Sequence, residues 1–169
     1  GTLLAADMRY KAKHAWIKEA VDSMLKSNQS ASEVFISHSA TACTDITGFG
    51  LAGHLLEMLE ASKATVDLRF DSLPLLPGAA ACLQAGIFSS LHKENASVSS
   101  SITFTKQQAD NSFSQIVFDP QTSGGLLASV PADQAEGCLK ALKDCGLTHS
   151  RIIGTVTEVS AKKSAITIV

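Results

Sequence analysis

Two short glycine-containing segments hold the residues best suited to chemistry. The first, residues 44–51, reads Thr-Asp-Ile-Thr-Gly-Phe-Gly-Leu, and the second, residues 118–127, reads Phe-Asp-Pro-Gln-Thr-Ser-Gly-Gly-Leu-Leu. Glycine has no Cβ and therefore lets the backbone come close to a ligand, and each segment sets a carboxylate beside such glycines. This combination is typical of a site for phosphate and the metal ion that accompanies it.

Asp45 has the most specific predicted role, because it stands where a short strand is expected to end before a helix. A carboxylate at that place can hold Mg²⁺, while the free amides and the dipole of the helix attract phosphate oxygens. Asp45 is then the metal ligand, and Thr47, Gly48 and Gly50 face the cofactor. The alternative is structural, since Asp and Thr are common helix caps and Asp45 or Thr47 could do no more than cap the helix.

The second segment also allows two interpretations. The Asp119-Pro120 pair favours an extended or turn conformation. The residues that follow could form an anion-binding concavity with their hydroxyls and amides: Thr122, Ser123, Gly124 and Gly125. The alternative is a tight hairpin at the glycine pair, with the hydroxyls bonded to nearby backbone.

The composition excludes several classes of protein. The chain has 169 residues, 45% of them hydrophobic, which predicts a single domain over 1–169 that buries a core of its own. With 14 basic and 16 acidic residues interspersed and a formal charge of -2, it has no basic stripe to neutralise nucleic acid. No apolar run reaches about 18 residues and no export signal is evident, so we expect no membrane partner and a cytoplasmic location.

The cysteines and histidines are too scattered to form a site of their own. The four cysteines have no zinc-ligand spacing and no disulfide framework, so reduced thiols are expected. Cys43 is interpreted as a small buried apolar residue. Of the histidines, His54 is the least ordinary because it lies near the apolar stripe of the motif helix. Trp16 is expected to anchor the core or a domain interface, and Lys162-Lys163 to lie in a solvated turn.

The elements that must position these residues follow from hydrophobic periodicity. Two helices are predicted before the first motif, one over 11–28 and a second that ends at about 37. The second is expected to be capped by Asn28, Ser30 or Ser32. Three more follow: one from near 48 to 62, a short one that ends at 85 with Gly86 as its cap, and one over 132–145 with Gly146 as its stop. Strands are predicted over 40–44 (buried), 65–70, 115–118, 126–130, 151–159 and 165–169, and residues 87–115 form a long surface excursion. The fold class is α+β, a layered mixed β-sheet packed with α-helices.

Several stretches resemble the C-terminal domain of selenophosphate synthetase, in the aminoimidazole ribonucleotide synthetase-like superfamily. They read LLAADMR at 3–9, ACTDITGFGL at 42–51, GHLLEM at 53–58, LPLLPG at 73–78 and DPQTSGGLL at 119–127. The similarity covers nearly the whole chain. It departs at about 97–114, where a Ser-rich run replaces the more helical segment that is expected.

The resemblance implies an enzyme that converts ATP, selenide and water to selenophosphate, AMP and phosphate with Mg²⁺, Asp45 being one metal ligand. It also implies a partner: an N-terminal domain, absent from this chain, that carries the reactive Cys or selenocysteine, a Lys, a glycine-rich segment and further aspartates. The full-length protein is expected to be a homodimer. This chain alone is expected to be inactive and a monomer or weak dimer.

Two other functions remain open at this point. The chain could belong to a relative in the same superfamily that acts on a different phosphorylated or carbamoylated substrate. It could also be a non-catalytic domain that keeps the fold for assembly or regulation. The Thr-Gly-Phe-Gly run at residues 47–50 favours selenophosphate synthesis over the first of these.

Overall fold

The computed structural model describes residues 1–104, 112–158 and 164–169, which form an α+β fold. Its α-helices are α1 (Thr2–Asp7), α2 (His14–Met24), α3 (Gln29–Ser37), α4 (Gly50–Ser62), α5 (Ala79–Gln84), α6 (His92–Asn95) and α7 (Ala135–Asp144). Its strands are β1 (Ala42–Asp45), β2 (Ala64–Leu68), β3 (Ile102–Thr103), β4 (Leu126–Ser129), β5 (Gly154–Glu158) and β6 (Ile166–Ile168). Short 3-10 helices span Phe70–Ser72, Ala96–Ser101 and Ser112–Phe118.

The strands form two sheets of different size. In the larger one the order is β3-β6-β2-β5, with β2 antiparallel to β5 and parallel to β6, and β6 parallel to β3. The smaller one contains only β1 and β4, which run antiparallel. The predicted mixed α+β architecture is therefore confirmed.

The main core lies between the four-stranded sheet and α4. Leu55 and Leu59 of α4 pack there with Leu68 of β2 and with Phe118, all nearly inaccessible to solvent. Two smaller clusters form where α1, α2 and α5 meet and where α3 packs on α7. In the first of these, the Trp16 ring occupies the space where a Cβ on residue 78 would stand, so this position must be glycine. The large core holds the helix that follows Asp45.

Most predicted elements near the two motifs are confirmed with shorter bounds. The strand predicted over 40–44 is Ala42–Asp45, half exposed rather than buried, and the strand predicted over 126–130 is Leu126–Ser129. The first long helix is limited to His14–Met24. Gly86 and Gly146 follow α5 and α7 with φ of 69° and 84°, the left-handed conformation expected after a helix end. Lys162-Lys163 lies outside the described residues.

The predicted strand over 115–118 is wrong, since Ser112–Phe118 is a 3-10 helix. The alternation that a half-buried strand needs is missing, because Val117 and Phe118 are consecutive and both nearly inaccessible. The helix packs between α4 and α5. It places the Asp119 carboxylate within hydrogen-bond distance of Thr2, at the start of α1.

The predicted surface excursion over 87–115 is also wrong for the part that the structure describes, while 105–111 lies outside the described residues. Ile87, His92, Asn95 and Ile102 are buried there, and β3 adds an edge strand to the larger sheet. Polar residues made this stretch look exposed. Two of those polar residues, on α6, instead hydrogen-bond inside the protein.

Asn28 stands at the N-cap of α3 but its side chain does not cap that helix. Its Nδ2 donates to the carbonyl of Gly124 at 3.0 Å, 96 residues away. The hydroxyl of Ser27 accepts from the amide of Gln29 instead. A side chain predicted to act locally therefore holds the second motif in place.

Candidate functional site

The two glycine-containing segments lie side by side, although residues 52–117 separate them in the sequence. β1 and β4 pair with Asp45 opposite Leu126. Beyond the strands, the Ile46 amide donates to the Gly125 carbonyl at 2.9 Å, and the Gln121 amide donates to the Thr47 carbonyl at 2.9 Å. The structure thus brings the predicted site residues of both segments into one region, which we call the motif junction (residues 45–50 and 119–126).

Gly124 is required by the packing of the motif junction. A Cβ built there would overlap the Ile46 carbonyl oxygen and would lie 2.8 Å from Oε1 of Gln121. The backbones of the two segments can approach only because this position has no side chain. The hairpin interpretation is wrong, because the strand that follows the glycine pair hydrogen-bonds to β1 and not to residues 115–118.

Gly50 and Asn95 connect the first segment to the residues just before Asp119. Gly50 has φ of 69°, and a Cβ there would lie 3.0 Å from the carbonyl oxygens of Val117 and Asp119. Nδ2 of the buried Asn95 donates to the Gly48 carbonyl at 2.8 Å and to the Phe118 carbonyl at 3.0 Å. Sequence reasoning missed Asn95, since an Asn in a polar stretch carries no signal of burial.

Gly48 and Gly125 differ from the two glycines above. A Cβ at either position would meet no heavy atom within 4 Å among the described residues. The backbone amides of Gly48 and Phe49 also have no hydrogen-bond acceptor among the described residues. Packing against the described residues therefore does not explain these two glycines, whereas close approach of a ligand would.

Asp45 ends β1 with its side chain exposed to solvent. Among the described residues its carboxylate has no hydrogen-bond or ion-pair partner. The cap interpretation is wrong for both candidates: α4 has Phe49 as its N-cap residue with no side-chain cap, and the Thr47 hydroxyl bonds elsewhere. The carboxylate is therefore available to a ligand beside the free amides of the turn.

Thr47, just before α4, contacts His54 of that helix. Its Oγ1 lies 3.1 Å from Nε2 of His54, which is 8% exposed, and Nδ1 of His54 lies 3.2 Å from Oε2 of Glu57. The rings of His54 and Phe49 are 5.4 Å apart. The periodicity of α4 placed His54 near the apolar face, but nothing in the sequence indicated its bond to Thr47.

Asp119, the carboxylate of the second segment, is buried and fully engaged. Its Oδ1 accepts from the Thr2 hydroxyl at 2.6 Å and from the Thr2 amide at 2.9 Å. Thr2 itself is inaccessible to solvent. This carboxylate therefore holds α1 against the motif junction instead of facing a ligand.

Thr122 and Ser123 lie on the exposed side of the second segment. Ser123 has φ of 47°, a left-handed conformation that is uncommon for a residue with a Cβ. Neither hydroxyl has a hydrogen-bond partner among the described residues. The local side-chain bonds that accompanied the hairpin interpretation are therefore not found among the described residues.

Cys43 lies in β1, two residues before Asp45. Cys43 is exposed, contrary to the prediction, and the pKa of its thiol is raised by partial burial and by the negative charge of Asp45. All four cysteines are free.

In residues 1–104, 112–158 and 164–169 no three His, Cys, Asp or Glu side chains gather to hold a metal. Nor does any helix there have the length and apolar character to cross a membrane.

Comparison with known proteins gives three findings: a family, a group of related sequences and a structural likeness. Residues 16–166 match the family described as AIR synthase related protein, C-terminal domain. The chain is 38% identical over 172 residues to a selenide, water dikinase of Myxococcus xanthus (strain DK1622), matching 100% of this chain and 47% of that protein. It is 34% identical to a selenide, water dikinase of Clostridioides difficile (strain 630), matching 85% of this chain and 41% of that protein.

The third finding is structural. A crystal structure of the hydrogenase maturation protein HypE aligns with a TM-score of 0.61 at 17% identity, covering 96% of this chain and 43% of that one. HypE in complex with ATP aligns with a TM-score of 0.58 at 17% identity, covering 86% of this chain and 38% of that one. This likeness shows a shared fold. The chain spans less than half the length of the curated relatives it matches.

Proposed function

The chain belongs to the family of AIR synthase related protein C-terminal domains, and from this membership we propose that it forms the C-terminal domain of a selenide, water dikinase. Such an enzyme makes selenophosphate, AMP and phosphate from ATP, selenide and water. The relatives at 33–38% identity that carry this name support selenide as the substrate over another phosphorylated substrate of the superfamily. A cytoplasmic location and a homodimeric full-length enzyme belong to the same proposal.

The structural observation that supports this proposal is the Asp45 carboxylate, which is exposed and has no partner among the described residues, beside Gly48 and Gly125, whose missing side chains would meet no described atom. A carboxylate oxygen is a ligand that Mg²⁺ prefers, and free backbone amides donate hydrogen bonds to phosphate oxygens. Both kinds of group lie within a few residues of each other. Asp45 is therefore proposed as the metal ligand, with Thr47 and Gly48 as residues that face ATP. Gly50 is buried against residues 117–119, so its proposed contribution to ATP binding is the position it gives to the turn.

The second segment is proposed to face the same phosphates. Thr122 and Ser123 are exposed, and Gly125 has open space where a side chain would stand. Gly124 is different, since it is needed so that the two segments can meet. Its proposed contribution to ATP binding is through its backbone and through the position it gives to its neighbours.

Asp45 alone makes an incomplete site. Mg²⁺ gives up its waters reluctantly and is usually held by one or two carboxylates together with substrate phosphates. When bound it would offset the negative charge that accumulates in phosphoryl transfer. We expect the remaining metal ligands to come from the part of the enzyme that this chain does not match. The isolated chain should then be inactive and bind ATP poorly.

A chimera tests the proposal. This chain replaces the matching part of an active selenide, water dikinase, and Mg²⁺-dependent selenophosphate formation is followed for the chimera, its Asp45→Asn variant and an exposed control, Asp133→Asn. We expect an active chimera, an inactive Asp45→Asn and an unaffected Asp133→Asn. Equal activity of all three would refute the metal assignment. A folded but inactive chimera would favour the non-catalytic assembly domain or a different substrate.

A further inference from the structure

The backbone of Thr47 is held by hydrogen bonds to both segments of the motif junction. Its carbonyl accepts from the amides of Gln121 at 2.9 Å and Gly50 at 3.1 Å, and the Ile46 amide before it is bonded across the motif junction. Its backbone therefore cannot turn without breaking the contact between the two segments. Its side-chain hydroxyl contacts a different group, Nε2 of His54, at 3.1 Å.

The charge of Glu57 decides how His54 is oriented. A carboxylate can only accept hydrogen bonds, so the neutral ring that bonds to Glu57 through Nδ1 must carry its proton there. Nε2 is then unprotonated and accepts from the Thr47 hydroxyl. This chain of contacts leaves the lone pairs of Thr47 Oγ1 directed away from His54.

We propose that His54 is a positioning residue. Together with Glu57 it orients the Thr47 hydroxyl so that its oxygen accepts a hydrogen bond from a water molecule bound to the divalent cation beside Asp45. This inference rests on the proposed function. Thr47 follows Asp45 by two residues, and Ile46 between them is buried while both neighbours are at least partly accessible. This alternation is the pattern of an extended segment whose first and third side chains share one face. Groups that orient ligands in this way commonly change metal affinity about 10–100-fold when removed.

The position of His54 supports a role beyond packing. The ring is buried, yet both of its nitrogens are engaged, and Phe49 covers one side of it at 5.4 Å between ring centroids. Gly53 makes this possible, because a Cβ there would lie 2.6 Å from Cβ of Phe49. Glu57 is exposed, with 62% of its side chain accessible, so its charge can be changed without opening the core.

The first arm of the test measures the orientation of the ring without any activity. Nitrogen-15 NMR of histidine-labelled chain, at about pH 8.5 where histidine is normally neutral, reports which ring nitrogen of His54 carries the proton. We expect Nδ1–H in the unmodified chain. Glu57→Gln should allow the Nε2–H form, whereas Glu60→Gln, the same charge change on the exposed face of α4, should not. An Nε2–H ring in the unmodified chain would overturn the proposal.

The second arm measures Mn²⁺ binding to the full-length enzyme with a non-hydrolysable ATP analogue, by electron paramagnetic resonance. Thr47→Val should weaken binding by about tenfold, and Thr47→Ser, which restores the hydroxyl, should recover most of that loss. If Asp45→Asn weakens binding while Thr47→Val does not, this inference fails and the proposed metal ligand stands. If neither substitution changes binding, the metal assignment itself fails and this inference fails with it.

Discussion

Asp45 and Asp119 are the carboxylates of two neighbouring segments, and the fold treats them in opposite ways. Asp45 is exposed and has no partner among the described residues. Asp119 is 9% exposed and accepts the hydroxyl and the amide of Thr2. A buried carboxylate is costly unless it is hydrogen-bonded, so Asp119 needs Thr2, whereas Asp45 remains solvated and free to bind a cation. The residue type beside a glycine turn therefore does not reveal the role, but the surroundings do.

The glycines divide in the same way. Gly50 and Gly124 have backbone atoms of the other segment where a Cβ would stand, whereas Gly48 and Gly125 face open space. One member of each pair belongs to each segment. Each segment thus contains one glycine that the fold requires and one that packing against the described residues leaves unexplained.

The largest effect on stability is expected at Gly124. Gly124→Ala places a methyl group against the Ile46 carbonyl oxygen, so β1 and β4 must separate and the free energy of unfolding should fall by about 3 kcal/mol or more. Gly125→Ala is the matched control, since it meets no neighbour and should change stability by less than about 1 kcal/mol. Urea unfolding of both variants measures the difference. Equal midpoints would show that the motif junction is not closely packed.

The two aspartates should differ next. Asp119→Asn removes a charge-assisted acceptor from Thr2 and should lower the free energy of unfolding by about 2 kcal/mol. Asp45→Asn removes an exposed charge and should change it by less than about 0.5 kcal/mol. Thermal unfolding of the two variants at one pH gives the comparison. A larger loss from Asp45→Asn would reverse the roles assigned here.

A smaller loss of about 1–2 kcal/mol is expected for Asn95→Ala. The substitution leaves the carbonyls of Gly48 and Phe118 without their donor. Asn28→Ala removes one bond, to the Gly124 carbonyl, from a partly buried site and should cost about 1 kcal/mol or less. Chemical denaturation measures both. If Asn28→Ala proves the more damaging, the motif junction depends on α3 more than on α6.

The sequence predicted the local parts of the site well. The strand before Asp45, the helix after Gly50 and the strand after Gly125 follow from short-range periodicity and are present with small changes of bounds. The α+β class also follows from the order of such elements. The resemblance of the motifs indicated the family, which the comparisons confirm.

What the sequence could not indicate is which polar residues face inward. Asn95 and His92 lie in a polar stretch that reads as surface, and both are buried because their side chains find partners far along the chain. The Asp119 carboxylate bonds to a threonine 117 positions earlier. Such pairings depend on tertiary contacts that no local pattern encodes.

The smallest expected effect is electrostatic, and it reports on the two carboxylates separately. The pKa of the Cys43 thiol is raised by partial burial and then by Asp45, and the pKa of the Cys82 thiol is raised by burial and then by Asp119. A raised thiol pKa means less thiolate at a given pH, so removing the nearby negative charge should lower the pH at which each thiol becomes reactive.

Alkylation by iodoacetamide as a function of pH, with the modified cysteine identified by mass spectrometry, measures this shift. Asp45→Asn should move the profile of Cys43 to lower pH and leave that of Cys82 in place, and Asp119→Asn should do the converse. Cys43 is exposed and should react directly, whereas Cys82 is buried and should react only when the protein opens. If Asp45→Asn shifts neither thiol, the Asp45 carboxylate does not act on Cys43. Because Asp119→Asn also loosens α1, faster alkylation of Cys82 without a shift in its pH profile would indicate opening rather than charge.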